Sequence, residues 1–173
     1  MIEDALRYFA GYPEELKEKV SVLISDNENL KNFFLNKYPV GHSVNSDKQL
    51  YQYVNSIKQE YLKNTPPVSR VLYEKQKDLV KNALGTHTFV SRNHGGKLKS
   101  KHEIRIASFL KDAPEPLLHM LVVHELAHFK EKDHNKAFYN LCEHMLSDYH
   151  QLEFELRLFL VLVDRKISVY STE

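Results

Sequence analysis

The sequence predicts an α+β fold with a small sheet, and three observations carry the prediction. Apolar residues recur at three- and four-residue spacing up to Pro66-Pro67. They then give way to short β-branched and alternating runs on either side of Gly95-Gly96. After Pro114 the helical period returns and holds almost to the end. Helices, then a small sheet with one inserted helix, then helices again is an α+β order.

The elements follow in turn. Pro13 opens a helix that runs to about Ile24. Asp26 or Asn27 caps a short one carrying Leu30, Phe33 and Phe34. Ser46 or Asp47 starts the clearest helix of this half, with Leu50, Tyr53, Val54, Ile57, Tyr61 and Leu62 on one face. Pro66-Pro67 ends it, because each ring removes a donor and forces the preceding residue extended. That pair divides a helical N-terminal part, residues 1–67, from a core of residues 68–173, the two expected to form one compact unit.

Val68 to Tyr73 reads as a strand, and Glu74 to Leu84 as a helix stopped by Gly85. Thr86 to Arg92 and His102 to Ala107 read as strands of a hairpin, with Asn93 to Gly96 as its turn. Pro114 and Pro116 mark the first turn of a helix, where Glu115 favours the positive end. From Leu117 to Ala127 that helix is apolar nearly all round, so it is buried, with the hairpin sheet packed on it. Two more helices are expected, about Asn135 to Met145 and Tyr149 to Arg165.

Composition narrows the class. The 173 residues are 42% hydrophobic and 27% charged, which excludes a disordered or fibrous chain. Lysine and arginine number 24 against 23 acids, so no global field draws the chain to nucleic acid or an anionic membrane. The one cysteine, Cys142, cannot form an internal disulfide. The N-terminus lacks the basic-then-apolar plan of a signal peptide, and no apolar run approaches the ~20 residues of a membrane span. A soluble, cytoplasmic protein is the expectation.

The chemistry lies in the buried helix, which reads Val123-His124-Glu125-Leu126-Ala127-His128. Histidines four apart project from one helix face, so both imidazoles can reach one ion. Glu125 sits one residue round, where it suits a general base that takes a proton from water activated on the metal. A catalytic zinc site needs a third protein ligand and an open position. His134 is the next histidine, but on a straight helix it would face about 240° away from His128. It can serve only if the helix breaks, and Lys132 to Asn135 is the natural place, with Asp133 as the cap of a new helix. The rival third ligands are carboxylates on later helices: Glu143, Glu153 or Glu155. The expected cofactor is one zinc ion per chain.

The run HELAHFKEKDHNKAF, followed by CEHMLSDYHQLEFELRLFL, resembles the YgjP-like predicted metal-dependent hydrolases, distant relatives of the SprT-like proteases. The similarity extends over nearly the whole chain, through GYPEEL, LYQYV, KNALGTHTFVSR, GGKLK, EIRIA and APEP. The family pattern of three histidines around an acidic residue maps onto His124, Glu125, His128 and His134. The resemblance implies a zincin-like fold and zinc-dependent hydrolysis, of peptide bonds first of all.

Other residues have roles to test. Phe138 can pack beneath the metal site or simply fill the core. Tyr149 and His150 can stabilise a developing oxyanion or cap the last helix. The strand holding Glu103, Ile104, Arg105 and Ile106 can rim the cleft, with substrate pairing to a free edge. Cys142 reads as a small buried hydrophobe. His119 and His144 read as structural or exposed, and His87, His94 and His102 surround the hairpin without paired spacing. The stretch Arg92 to Arg105 also contains Lys97, Lys99 and Lys101; it can contact nucleic acid, although a protective charged edge is favoured. Three functional readings stand: a metallopeptidase acting on peptide or protein, a nucleic-acid-associated protein with structural zinc or a DNA-associated SprT-like protease, and a hydrolase of another amide or ester.

Overall fold

The computed structural model describes residues 2–75, 86–94 and 97–170, with the backbone alone from 86 to 101. It is α+β. A short helix α1 (Ile2–Ala5) and a 3₁₀ turn (Leu6–Phe9), neither anticipated from the sequence, bring Phe9 into the core. Helices α2 (Glu14–Ile24), α3 (Asn27–Lys37) and α4 (Asp47–Tyr61) follow. Their starts have local causes. Glu14 and Glu15 occupy the first turn of α2 directly after Pro13. The Asp26 carboxylate accepts the Glu28 amide at 2.9 Å and caps α3. At α4, Ser46 Oγ accepts the Gln49 amide at 3.2 Å while Gln49 Oε1 accepts the Ser46 amide at 3.1 Å, a reciprocal capping box. Leu50, Val54 and Ile57 then fall on the buried face of α4.

Beyond the two prolines the chain forms β1 (Val68–Glu74), β2 (Thr86–His94) and β3 (Lys97–Ala107). The sheet order is β1-β3-β2. β2 and β3 form the expected antiparallel hairpin, from Thr86 opposite Arg105 to His94 opposite Lys97. It is longer than the sequence suggests: Asn93 and His94 belong to the strand, and residues 95–96 lie outside the described residues. β1 pairs with the other side of β3 in parallel, Val71 beside Ile104 and Tyr73 beside Ile106. Glu74, expected to begin a helix, instead ends β1 opposite Ala107. Residues 76–85, including Gly85, lie outside the described residues.

A 3₁₀ turn (Ser108–Asp112) leads from β3 to α5 (Glu115–Ala127), with Pro114 before its first turn. Every residue of α5 from Met120 onward is buried. Helices α6 (Lys136–Met145) and α7 (Tyr149–Asp164) complete the fold. One apolar cluster unites the parts: Phe9, Ile24 and Phe34 from the N-terminal helices, Ile104 and Ile106 from β3, and residues of α5, α6 and α7. A buried polar tie joins α3 to α7. Glu155 is fully buried and accepts from Tyr38 Oη at 2.6 Å, Gln151 Nε2 at 2.9 Å and the Lys37 ammonium. Among the described residues, no helix is long and apolar enough to cross a membrane.

Candidate metal centre

The site grows from the end of α5. His124 lies on its last turn, and His128 is the C-cap, still in helical conformation with φ −63° and ψ −12°. The four-residue spacing therefore keeps both imidazoles on one face. The helix stops immediately afterwards. The amides of Phe129, Lys130 and Glu131 turn back to the carbonyls of Leu126 and Ala127, and the chain bends away. This break comes earlier than Lys132 to Asn135. Asn135, rather than Asp133, caps α6, its side chain accepting the Phe138 amide at 2.9 Å. The reversal carries His134 back to the other two histidines.

Their ring centroids form a nearly equilateral triangle, with sides of 5.1, 5.0 and 4.9 Å. One ligand atom from each lies within 4.8 Å of the others, and Nε2 of His134 is 3.1 Å from Nε2 of His128. Phe138, fully buried, stands 4.9, 4.7 and 4.8 Å from the three rings and fills one side of the triangle. Packing beneath the site and core filling are thus the same role. Burial is graded from His124 through half-buried His128 to exposed His134, so the triangle opens towards solvent at His134.

Hydrogen bonds define which nitrogen faces inward. His128 Nδ1 lies 2.9 Å from the carbonyl oxygen of Glu131, which can only accept. Nδ1 therefore carries the proton, and Nε2 keeps its lone pair for the centre. His124 Nδ1 lies 2.6 Å from Tyr149 Oη, which likewise leaves Nε2 facing inward. Burial pushes His124 down to about 3, and the neighbouring His128 and His134 act in the same direction. His128 is lowered as well, chiefly by burial. These imidazoles are neutral at ordinary pH, the state a metal ion requires.

Glu125 is buried beside them, and burial pushes its carboxyl well above the usual carboxylate range. A nearby divalent cation would reverse that balance. The donor set fits a metal ion: three imidazoles with ligand nitrogens within 4.8 Å of one another and one open side.

Other expectations change. Tyr149 does not face the open side; it is fully buried, with its hydroxyl on the rear nitrogen of His124, so it cannot reach an oxyanion. His150 is half-exposed and lies 3.4 Å from Glu143 and 3.8 Å from Glu153, so these three groups face one another. Glu155 is committed to α3. The substrate-rim proposal for Glu103, Ile104, Arg105 and Ile106 also fails as stated. β3 is the central strand, paired on both sides from His102 to Arg105, and has no free edge there. Ile104 and Ile106 are buried, while Arg105 is held by Glu103 at 2.8 Å and Glu74 at 2.6 Å.

His102 stacks on Phe129, with centroids 4.4 Å apart, and His144 meets Tyr61 edge-on. The side chains of His87, His94, Arg92, Lys97, Lys99 and Lys101 lie outside the described part. Neither the Glu131 carbonyl behind His128 nor the contact of Tyr149 with His124 is marked in the sequence. No spacing rule points to either, because both depend on how separate segments meet.

An α+β, zincin-like fold carrying a triad of metal-competent histidines defines a metal-dependent hydrolase. The chain belongs to the YgjP-like family, whose metallopeptidase domain matches residues 19–158. It is also similar to a protein of Escherichia coli (strain K12) named UTP pyrophosphatase. The two are 52% identical over 155 residues, which cover 90% of this chain and 92% of the relative. No solved structure matches the chain.

Proposed function

We propose that this chain is a zinc-dependent hydrolase of UTP that cleaves the bond between the α- and β-phosphates. The relative named UTP pyrophosphatase carries the choice of substrate, since its similarity to this chain spans nearly the full length of both. The site supports the chemistry. His124, His128 and His134 hold the metal, and Phe138 keeps one side dry. Bound zinc supplies Lewis-acid polarisation and positive charge against phosphate oxygens. Glu125 takes the proton from the water that attacks the α-phosphorus. The bond to the β-phosphate breaks, giving UMP and pyrophosphate. Arg92, Lys97, Lys99 and Lys101 place cationic residues along β2 and β3, a composition suited to a polyphosphate. Arg105 is not among them, because Glu74 and Glu103 already engage it.

A second reading, metallopeptidase, is favoured by the description of the family domain and by the fit of the same residues to carbonyl chemistry. Structural zinc in a nucleic-acid-associated protein would call for a fourth protein ligand, and among the described residues the group holds three. The zinc-loaded protein should be incubated separately with UTP, with an unfolded protein substrate and with duplex DNA. UMP and pyrophosphate in equal amounts, with the protein substrate intact, is the expected result. Peptide cleavage with UTP untouched would establish the second reading, and salt-dependent DNA binding without any hydrolysis the third.

A further inference from the structure

Tyr149 opens α7 and His124 lies on α5, and both side chains are buried. The hydroxyl of Tyr149 is 2.6 Å from His124 Nδ1. The two rings are nearly parallel at 14°, with centroids 6.3 Å apart, a separation that suits an end-to-end hydrogen bond rather than face-to-face stacking. We propose that Tyr149 is a positioning residue for the metal: its hydroxyl accepts the Nδ1 proton of His124. This fixes the tautomer in which His124 Nε2 meets the ion.

The inference rests on the metal-centre reading and adds a direction to it. A hydroxyl has one proton to give. In the metal-free protein Tyr149 can either donate to Nδ1 or accept from it. Ligation through Nε2 removes that choice, because Nδ1 must then carry the proton. The tyrosine then has to accept. His128 is held in the same sense by the Glu131 carbonyl, so the two more buried ligands are both oriented from behind.

Zinc affinity, measured by competition with a chromophoric chelator, tests this without reference to turnover. Tyr149→Phe keeps the ring and should weaken zinc binding ~10–100-fold, the usual cost of losing an outer hydrogen-bond partner. In nitrogen NMR of the zinc-loaded wild type with labelled histidine, the His124 ring should show Nδ1 protonated and Nε2 bound to the metal. Thermal melts of the metal-free variants show whether each is folded. Wild-type affinity in folded Tyr149→Phe would overturn the proposal. If that variant does not fold, a zinc-loaded wild type in which Nδ1 of His124 binds the metal would overturn it. His124→Ala serves as the control: full zinc affinity in that variant would remove the metal-centre reading itself, whereas its loss beside an unaffected Tyr149→Phe would remove only the role of Tyr149.

Discussion

The three imidazoles of the centre are presented in different ways. His124 is locked between a tyrosine and a phenylalanine, His128 is tied to a backbone carbonyl, and His134 stands exposed at the mouth. Substituting His134 should therefore leave the fold intact while removing one ligand. His134→Ala is expected to lose zinc affinity by at least ~100-fold with little change in metal-free stability, because an exposed side chain adds little to the core while a ligand acts through the bound metal. His144→Ala should retain zinc, since its ring packs edge-on against Tyr61 and is not part of the triad. Elemental analysis and thermal melts of the two proteins check this. The pairing of His124 with His128 was legible because a helix converts four-residue spacing into a shared face. Tyr149 was not: a tyrosine at a helix start looks the same in sequence whether its hydroxyl meets solvent or the back of a ligand.

At the scale of elements, the centre depends on where α5 stops. The sequence shows that the helix must break if His134 is to serve, and the polar run before α6 marks the region. It does not show the exit angle, which depends on the bonds back to Leu126 and Ala127 and on the cap at Asn135. Asn135→Ala should cost roughly 1 kcal/mol through loss of the cap. It should also weaken zinc binding measurably, because His134 is anchored by the same turn. Denaturant melts with and without zinc separate the effects; a variant less stable to equal extents in both would show that the cap does not position His134. The hairpin was legible from its two β-branched runs and their short turn. The insertion of β3 between β2 and β1 was not, since parallel pairing joins segments separated along the chain. That single topological fact removes the free edge expected along Glu103 to Arg105.

For the whole molecule, one core spans the N-terminal helices and the helices that carry the centre. Glu155 shows how the two are joined, and also why a carboxylate in a helix after the motif need not be a ligand. Glu155→Leu should destabilise the protein by roughly 2–3 kcal/mol, because it strands the Lys37 and Tyr38 partners. Its zinc content should be unchanged. Fold class and metal chemistry were readable from pattern and spacing, but the substrate was not, because the same donors and base serve carbonyl and phosphoryl centres alike. The central claim is that the triad holds the metal while Glu125 moves the proton. It is tested most directly by measuring zinc content and UTP turnover together in Glu125→Gln. The account predicts one zinc per chain with turnover reduced ~10²–10⁴-fold, the range of a lost general base. Zinc lost together with activity, or UTP hydrolysis at the wild-type rate, would contradict it.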